Sequence, residues 1–141
     1  MKAVLDTNVL VAGLNSSIGA SHAILRLLLQ KRFEPIISTS IFFEYEDVLL
    51  RKNMIKTLTP HEIHAFLDWF ASVSTRTKIY FLWRPSLRDP KDDMFLETAV
   101  AGGANYIVTH NLKDYTTANN FQVRIISPAE FLSKFNSGGS Q

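Results

Sequence analysis

Residues 2–14 read KAVLDTNVLVAGL, and the fold turns on how the aspartate at position 6 is understood. Ala3, Val4 and Leu5 form a short, continuous apolar run, the pattern of a strand buried on both faces. Asp6 closes that run and is followed by Thr7 and Asn8, then by Val9 and Leu10. An ionised carboxylate in so apolar a stretch is costly unless a cation or a set of donors compensates it. A turn aspartate bonded to nearby backbone NH groups is the simpler alternative. The apolar setting favours a metal role over that one.

Outward from Asp6, strand-like and helix-like segments alternate. Residues 2–6 read as a strand, followed by a polar loop through Ser16 and Gly19 and an amphipathic helix from Ser21 carrying Ile24, Leu27 and Leu28. Glu34-Pro35 stops that helix, residues 35–38 form a buried strand, and Thr39 and Ser40 lead into a second helix with Ile41, Tyr45, Val48 and Leu49 on one side. Thr59-Pro60-His61-Glu62 opens a third helix with a capping residue, an early proline and a glutamate three positions after the cap. Residues 78–83 alternate as a peripheral strand, and a helix runs from Asp89-Pro90 to Gly102-Gly103. Residues 106–109 and 122–126 are the last strands, and Ser127-Pro128-Ala129-Glu130 caps the final helix.

Short apolar strands separated by helices predict an α/β fold. The expected form is a three-layer α/β/α sandwich with a central, mostly parallel, twisted sheet and right-handed crossovers. With 141 residues, 46% of them hydrophobic, residues 1–135 are expected to be one domain, and the Gly, Ser, Asn and Gln tail at 136–141 to fray. A net charge of +2 and a pI near 9.0 neither require nor exclude nucleic acid. The absence of cysteine excludes a disulfide framework and a thiolate metal site, and predicts a cytoplasmic protein. No stretch approaches the length of a membrane span.

In open parallel sheets the site lies beyond the carboxyl ends of the strands. Asp6 ends the first strand, Glu44 lies early in the helix after the second, Asp92 lies in the first turn after Pro90, and Asp114 follows the strand ending at Thr109. Asp93 is the alternative to Asp92, and the dipole of its helix gives either residue a structural rationale as well. Carboxylates gathered at one rim cannot all stay ionised without a cation. Oxygen donors without cysteine point to magnesium or manganese, which suits phosphodiester hydrolysis.

The stretches AVLDTNVLVAGL (3–14), STSIFFEYEDVL (38–49), RDPKDDMFLETAVAGGANYIVTHNLKDY (88–115) and ISPAEFL (126–132) resemble, in order and spacing, the PIN-domain family of metal-dependent ribonucleases. The resemblance extends nearly to Phe135 and is nearest to the subgroup of toxins from toxin-antitoxin systems. It implies an endoribonuclease in which Asp6 is the central metal ligand, Glu44 the second acid and Asp92 the third, with Thr7, Asn8 and Thr109 supporting them. It also implies an RNA substrate, a protein antitoxin and a homodimer. Many family members carry aspartate where this chain has Asn111, so Asp114 is left to compensate, and one metal ion or two remain open.

Two other classes fit the residues less well. A phosphatase of the haloacid dehalogenase type would use Asp6 as nucleophile and Ser38 after the second strand, but would need an acid where Asn8 stands. A degenerate PIN-like domain that binds RNA or protein without cutting is motivated by Asn111.

Overall fold

The computed structural model describes residues 1–79, 90–115 and 122–136. Among these residues five strands form one parallel sheet: β1 (Lys2–Leu5), β2 (Glu34–Ile37), β3 (Thr75–Arg76), β4 (Tyr106–Val108) and β5 (Arg124–Ile126), in the spatial order β3-β2-β1-β4-β5. The helices are α1 (Thr7–Asn15), α2 (Ala20–Leu29), α3 (Thr39–Leu49), α4 (Pro60–Val73), α5 (Pro90–Gly102) and α6 (Pro128–Asn136). α2 packs on α1 and α6, α3 on α4 and α5, and α5 on β1, β2 and β4, giving the expected three-layer α/β/α sandwich.

Central strands buried on both faces explain why β1 carries no polar alternation: Ala3, Val4 and Leu5 are all fully buried. The helices on either side bring rings to the sheet. Phe33 meets Phe131 edge-on at 5.0 Å, and Tyr45 meets Phe70 at 5.5 Å. Such edge-to-face pairs add roughly 0.5–1.5 kcal/mol beyond burial.

Local chemistry starts α4 and α6 as their sequences predict, and α3 begins from Ser38 rather than from Thr39 and Ser40. Ser38 caps α3 by accepting from the Ile41 NH at 3.3 Å. Thr59 and Glu62 close a reciprocal capping box on α4, at 3.2 and 2.9 Å, and Ser127 and Glu130 exchange the same pair of bonds at α6, at 3.1 and 3.3 Å.

Three expectations about the chain path are corrected, the first being that α2 ends at Leu29, before Glu34-Pro35, which belong to β2. The segment after Asp6 is helical from Thr7 to Asn15 rather than a polar loop, and only Ser16 to Gly19 separate it from α2. Its inward residues Thr7, Val9, Leu10 and Gly13 are buried at helical spacing. A Cβ on Gly13 would sit 2.8 Å from Leu25 Cδ1 and 2.9 Å from the Ser21 carbonyl oxygen, so glycine is what lets α1 and α2 approach. The edge strand is Thr75–Arg76, pairing with Ile36 and Ile37, rather than residues 78–83. Lys78 and Ile79 are outside any strand, and positions 80–83 lie outside the described residues.

The strand order places the site. From β1 the chain moves to β2 and β3 on one side, then crosses to β4 and β5 on the other, so β1 and β4 flank the topological switch point. At that edge the Asp6 NH donates to the Val108 carbonyl at 2.9 Å, which sets the end of β1 beside the end of β4.

Candidate functional site

Asp6 is 7% exposed. Burial is the largest influence on its carboxyl and holds its pKa above the ordinary aspartate value. Hydrogen bonds from Thr109 and Tyr115, and then the backbone around Asn8 and Thr7, act in the opposite direction without cancelling it. Although Asp6 is the N-cap residue of α1, its side chain closes no capping bond.

The carboxylate reaches across the switch point instead. Thr109 Oγ1 donates to Asp6 Oδ2 at 2.9 Å, and Tyr115 Oη donates to the same oxygen at 3.1 Å. Thr109 Oγ1 in turn accepts from the Asn111 NH at 3.0 Å and, weakly, from Asn8 Nδ2 at 3.4 Å. Asn8 Oδ1 accepts from the His110 NH at 3.2 Å, so this one amide clamps both residues at the end of β4. His110 Nε2 and Ser21 Oγ lie 2.8 Å apart, extending the network to α2.

A second layer ties neighbouring elements to β1. Tyr45 Oη donates to the Leu5 carbonyl at 2.6 Å from α3. Burial first, and then the nearby Asp6 charge, push the Tyr45 hydroxyl well above its ordinary value, so it stays a protonated donor. Ser38 Oγ and Thr98 Oγ1 lie 2.7 Å apart and couple α3 to α5, the two helices that carry Glu44 and the Asp92–Asp93 pair.

Of the residues singled out from sequence, Asp6, Asn8 and Thr109 stand in one bonded cluster. Thr7 is buried beside it, and its hydroxyl has no hydrogen-bond partner. Asn111 joins through its backbone NH, while the residue itself is exposed. Ser38 is occupied in capping α3 and bridging to Thr98. Glu44 is half-buried on α3 and takes part in an interaction of its own. Asp93 is 7% exposed on α5 and also has a partner. Asp92 belongs to the first turn of α5, but its side chain lies outside the described residues. Asp114 is half-buried, in a turn whose backbone runs from Asn111 O to Asp114 N at 3.1 Å.

Tyr115 and Tyr45 were not anticipated. Neither carries a local signal, and each hydroxyl finds its partner only once β1, β4 and α3 are assembled.

Among the described residues, no three Asp, Glu or His side chains gather closely enough to cage a metal ion. A hydrated magnesium or manganese ion does not demand such a cage, since it commonly keeps several waters and uses one or two carboxylates. A buried carboxylate raised by desolvation, with both of its side-chain donors on one oxygen, fits an ion of that kind.

A parallel sheet with its acid at the switch point narrows the class, and comparison with known proteins identifies it. Residues 2–113 match the PIN domain, and the chain belongs to the PIN-domain family. Members of that family are generally nucleases and typically use divalent metal ions. An uncharacterized protein of Methanocaldococcus jannaschii, MJ1680, is 26% identical over 148 aligned positions, covering 96% of this chain and 92% of its own. The crystal structure of VapBC2 from Rickettsia felis, bound to a DNA fragment from its promoter, contains a chain that superposes with a TM-score of 0.58 at 20% identity. That match covers 89% of this chain and 98% of the other, and it supports the fold. Among the described residues, no helix is long and apolar enough to cross a membrane.

Proposed function

We propose that the protein is a divalent-metal-dependent endoribonuclease that serves as the toxin of a toxin-antitoxin pair. The observation that carries the reading is Asp6: a carboxylate buried at the carboxyl end of the central strand, beside the switch point, and held above its ordinary pKa. Evolution tolerates such a cost where charge is used. The toxin role, the protein antitoxin and self-association are what the family resemblance implies, and the VapBC2 likeness agrees with that reading in fold.

Asp6 is the central residue holding magnesium or manganese, with Glu44 and the Asp92–Asp93 pair supplied by the helices that the Ser38–Thr98 bridge couples. Burial makes Asp93 as strong a candidate as Asp92. Asp114 supplies the fourth acid from the turn after β4. When bound, the ion lowers the pKa of a water and offsets the charge that grows on the phosphate. The protein's own part is to hold the Asp6 carboxylate in one orientation through Thr109 and Asn8, and to keep the acids at one rim.

The deciding experiment is RNA cleavage with and without magnesium or manganese, in the wild type and in Asp6→Asn. Cleavage that needs the ion and disappears with the variant supports the proposal; full metal-dependent cleavage by the variant rejects it. A non-cutting domain that binds RNA or protein is the second reading, favoured by Asn111 and by the lack of a three-acid cluster among the described residues. Calorimetry showing no divalent-ion binding at the Asp6 rim would select it. A haloacid dehalogenase-type phosphatase is disfavoured because the Ser38 hydroxyl is already committed within the fold.

A further inference from the structure

The two side-chain bonds to Asp6 fall on the same oxygen. Thr109 Oγ1 lies 2.9 Å and Tyr115 Oη 3.1 Å from Oδ2. A carboxylate oxygen offers two lone-pair sites in the plane of the group, so two donors fill it. Neither of these side chains donates to Oδ1.

We propose that Tyr115 is a positioning residue which, with Thr109, confines Asp6 to one-oxygen ligation and thereby favours a small octahedral cation over calcium. Calcium takes six to eight oxygens and readily accepts both oxygens of one carboxylate, whereas magnesium and manganese sites work with single-oxygen contacts in tighter geometry. A carboxylate with one oxygen blocked by two donors cannot turn to offer both. The inference rests on the reading of Asp6 as a cation-holding residue.

The build of the turn supports a specific task for this hydroxyl. Residues 112–115 make a single tight turn after β4, and Tyr115 at its end is 1% exposed. Phenylalanine would fill the same space without a polar atom to satisfy. Placing a hydroxyl there is worthwhile only with a partner within reach, and Asp6 Oδ2 is within reach. Thr109 is fully buried and its hydroxyl accepts from the Asn111 NH, so the two donors approach Oδ2 from the strand end and from the turn that follows it. Outer partners of this kind orient a ligand and set its affinity, typically by ~10–100-fold.

The test is a calorimetric titration of magnesium, manganese and calcium, each alone, into the full chain: wild type, Tyr115→Phe and Asp6→Asn. Tyr115→Phe keeps the ring and removes only the donor. The expected result is a magnesium affinity about tenfold lower in Tyr115→Phe, with calcium weakened less or strengthened, so that the preference between the two ions narrows. An unchanged magnesium-to-calcium ratio in Tyr115→Phe, with binding still lost in Asp6→Asn, overturns this inference and leaves the cation-holding role of Asp6 intact. Wild-type protein that binds no divalent ion through Asp6 overturns both. Should Tyr115→Phe not fold, the near-ultraviolet tyrosine difference spectrum replaces it. Magnesium is then expected to perturb a buried tyrosine in the wild type and not in Asp6→Asn, and a flat wild-type spectrum at saturation overturns the proposal.

Discussion

The starts of α1 and α4 are built in opposite ways. At α4, Thr59 and Glu62 satisfy each other's backbone NH groups, and Pro60 occupies the first turn. At α1, Asp6 holds the capping position with extended backbone angles of −64° and 149°, yet its carboxylate caps nothing, and no acidic residue follows in the first turn. That carboxylate bonds instead to side chains 103 and 109 positions later. A cap of this type is worth about 0.5–2 kcal/mol, so α1 forgoes a local stabilisation to keep its acid for a distant purpose. Sites where local rules are broken while the fold persists are where function is expected.

The largest effect should come from Asp6→Asn. Under the proposed function, cleavage falls by more than the roughly 100-fold typical of losing an outer metal partner, as measured on an RNA substrate with magnesium. Stability should move the other way. Burial raises the folded-state pKa of Asp6, so the folded state binds this proton more tightly than the unfolded one. The wild type is therefore most favoured below the ordinary value of 3.8 and loses stability as pH rises from there through the folded-state pKa. Asp6→Asn removes that loss, and at neutral pH without divalent ions it should melt higher, by on the order of 1 kcal/mol. Magnesium should then raise the melting temperature of the wild type and leave the variant unmoved. A variant that melts lower at neutral pH would mean that the buried charge is not a cost.

The contrast between the two helix starts also explains what was legible in the sequence. α4 was plain because all of its signals lie within four consecutive residues, Thr59 to Glu62. β1 was plain because its buried run is uninterrupted. α1 was missed because Asp6, Thr7 and Asn8 resemble a turn and offer no box, although Val9, Leu10 and Gly13 already carried helical spacing. β3 has two residues, too few to show an alternation, and its existence depends on the edge that β2 presents. At the site, Asp6 and Thr109 were visible because each ends an apolar strand. Tyr115 was not, since a buried tyrosine looks the same whether its hydroxyl meets a carboxylate or a backbone carbonyl.

Breaking the long-range side of the comparison comes next in size. Thr109→Val keeps the volume but removes the donor to Asp6 Oδ2 and the acceptor for the Asn111 NH. Leaving buried polar groups unpaired typically costs about 1–3 kcal/mol, read as a lower denaturant midpoint with an unchanged slope. Gly13→Ala should cost a similar ~1–3 kcal/mol by overpacking, because the added methyl meets the Ser21 carbonyl oxygen at 2.9 Å. The two variants differ in their tell-tale. Thr109→Val disturbs the acid directly and should weaken magnesium binding, whereas Gly13→Ala moves α1 against α2. An Ala variant as stable as the wild type would show that the two helices are free to separate.

The smallest effect sharpens the comparison from the other end. Thr59→Ala opens the capping box of α4 and should lower stability by about 1 kcal/mol, again as a midpoint shift. Thr59 sits at an exposed helix start, and its partner Glu62 stays solvated once released. Cation affinity and cleavage per folded molecule should therefore match the wild type. If Thr59→Ala impaired cation binding as Thr109→Val is expected to, the separation between a helix start that serves only the fold and one that serves the site would collapse. A stability loss in both variants, with a binding loss only in Thr109→Val, is the pattern that the two helix starts require.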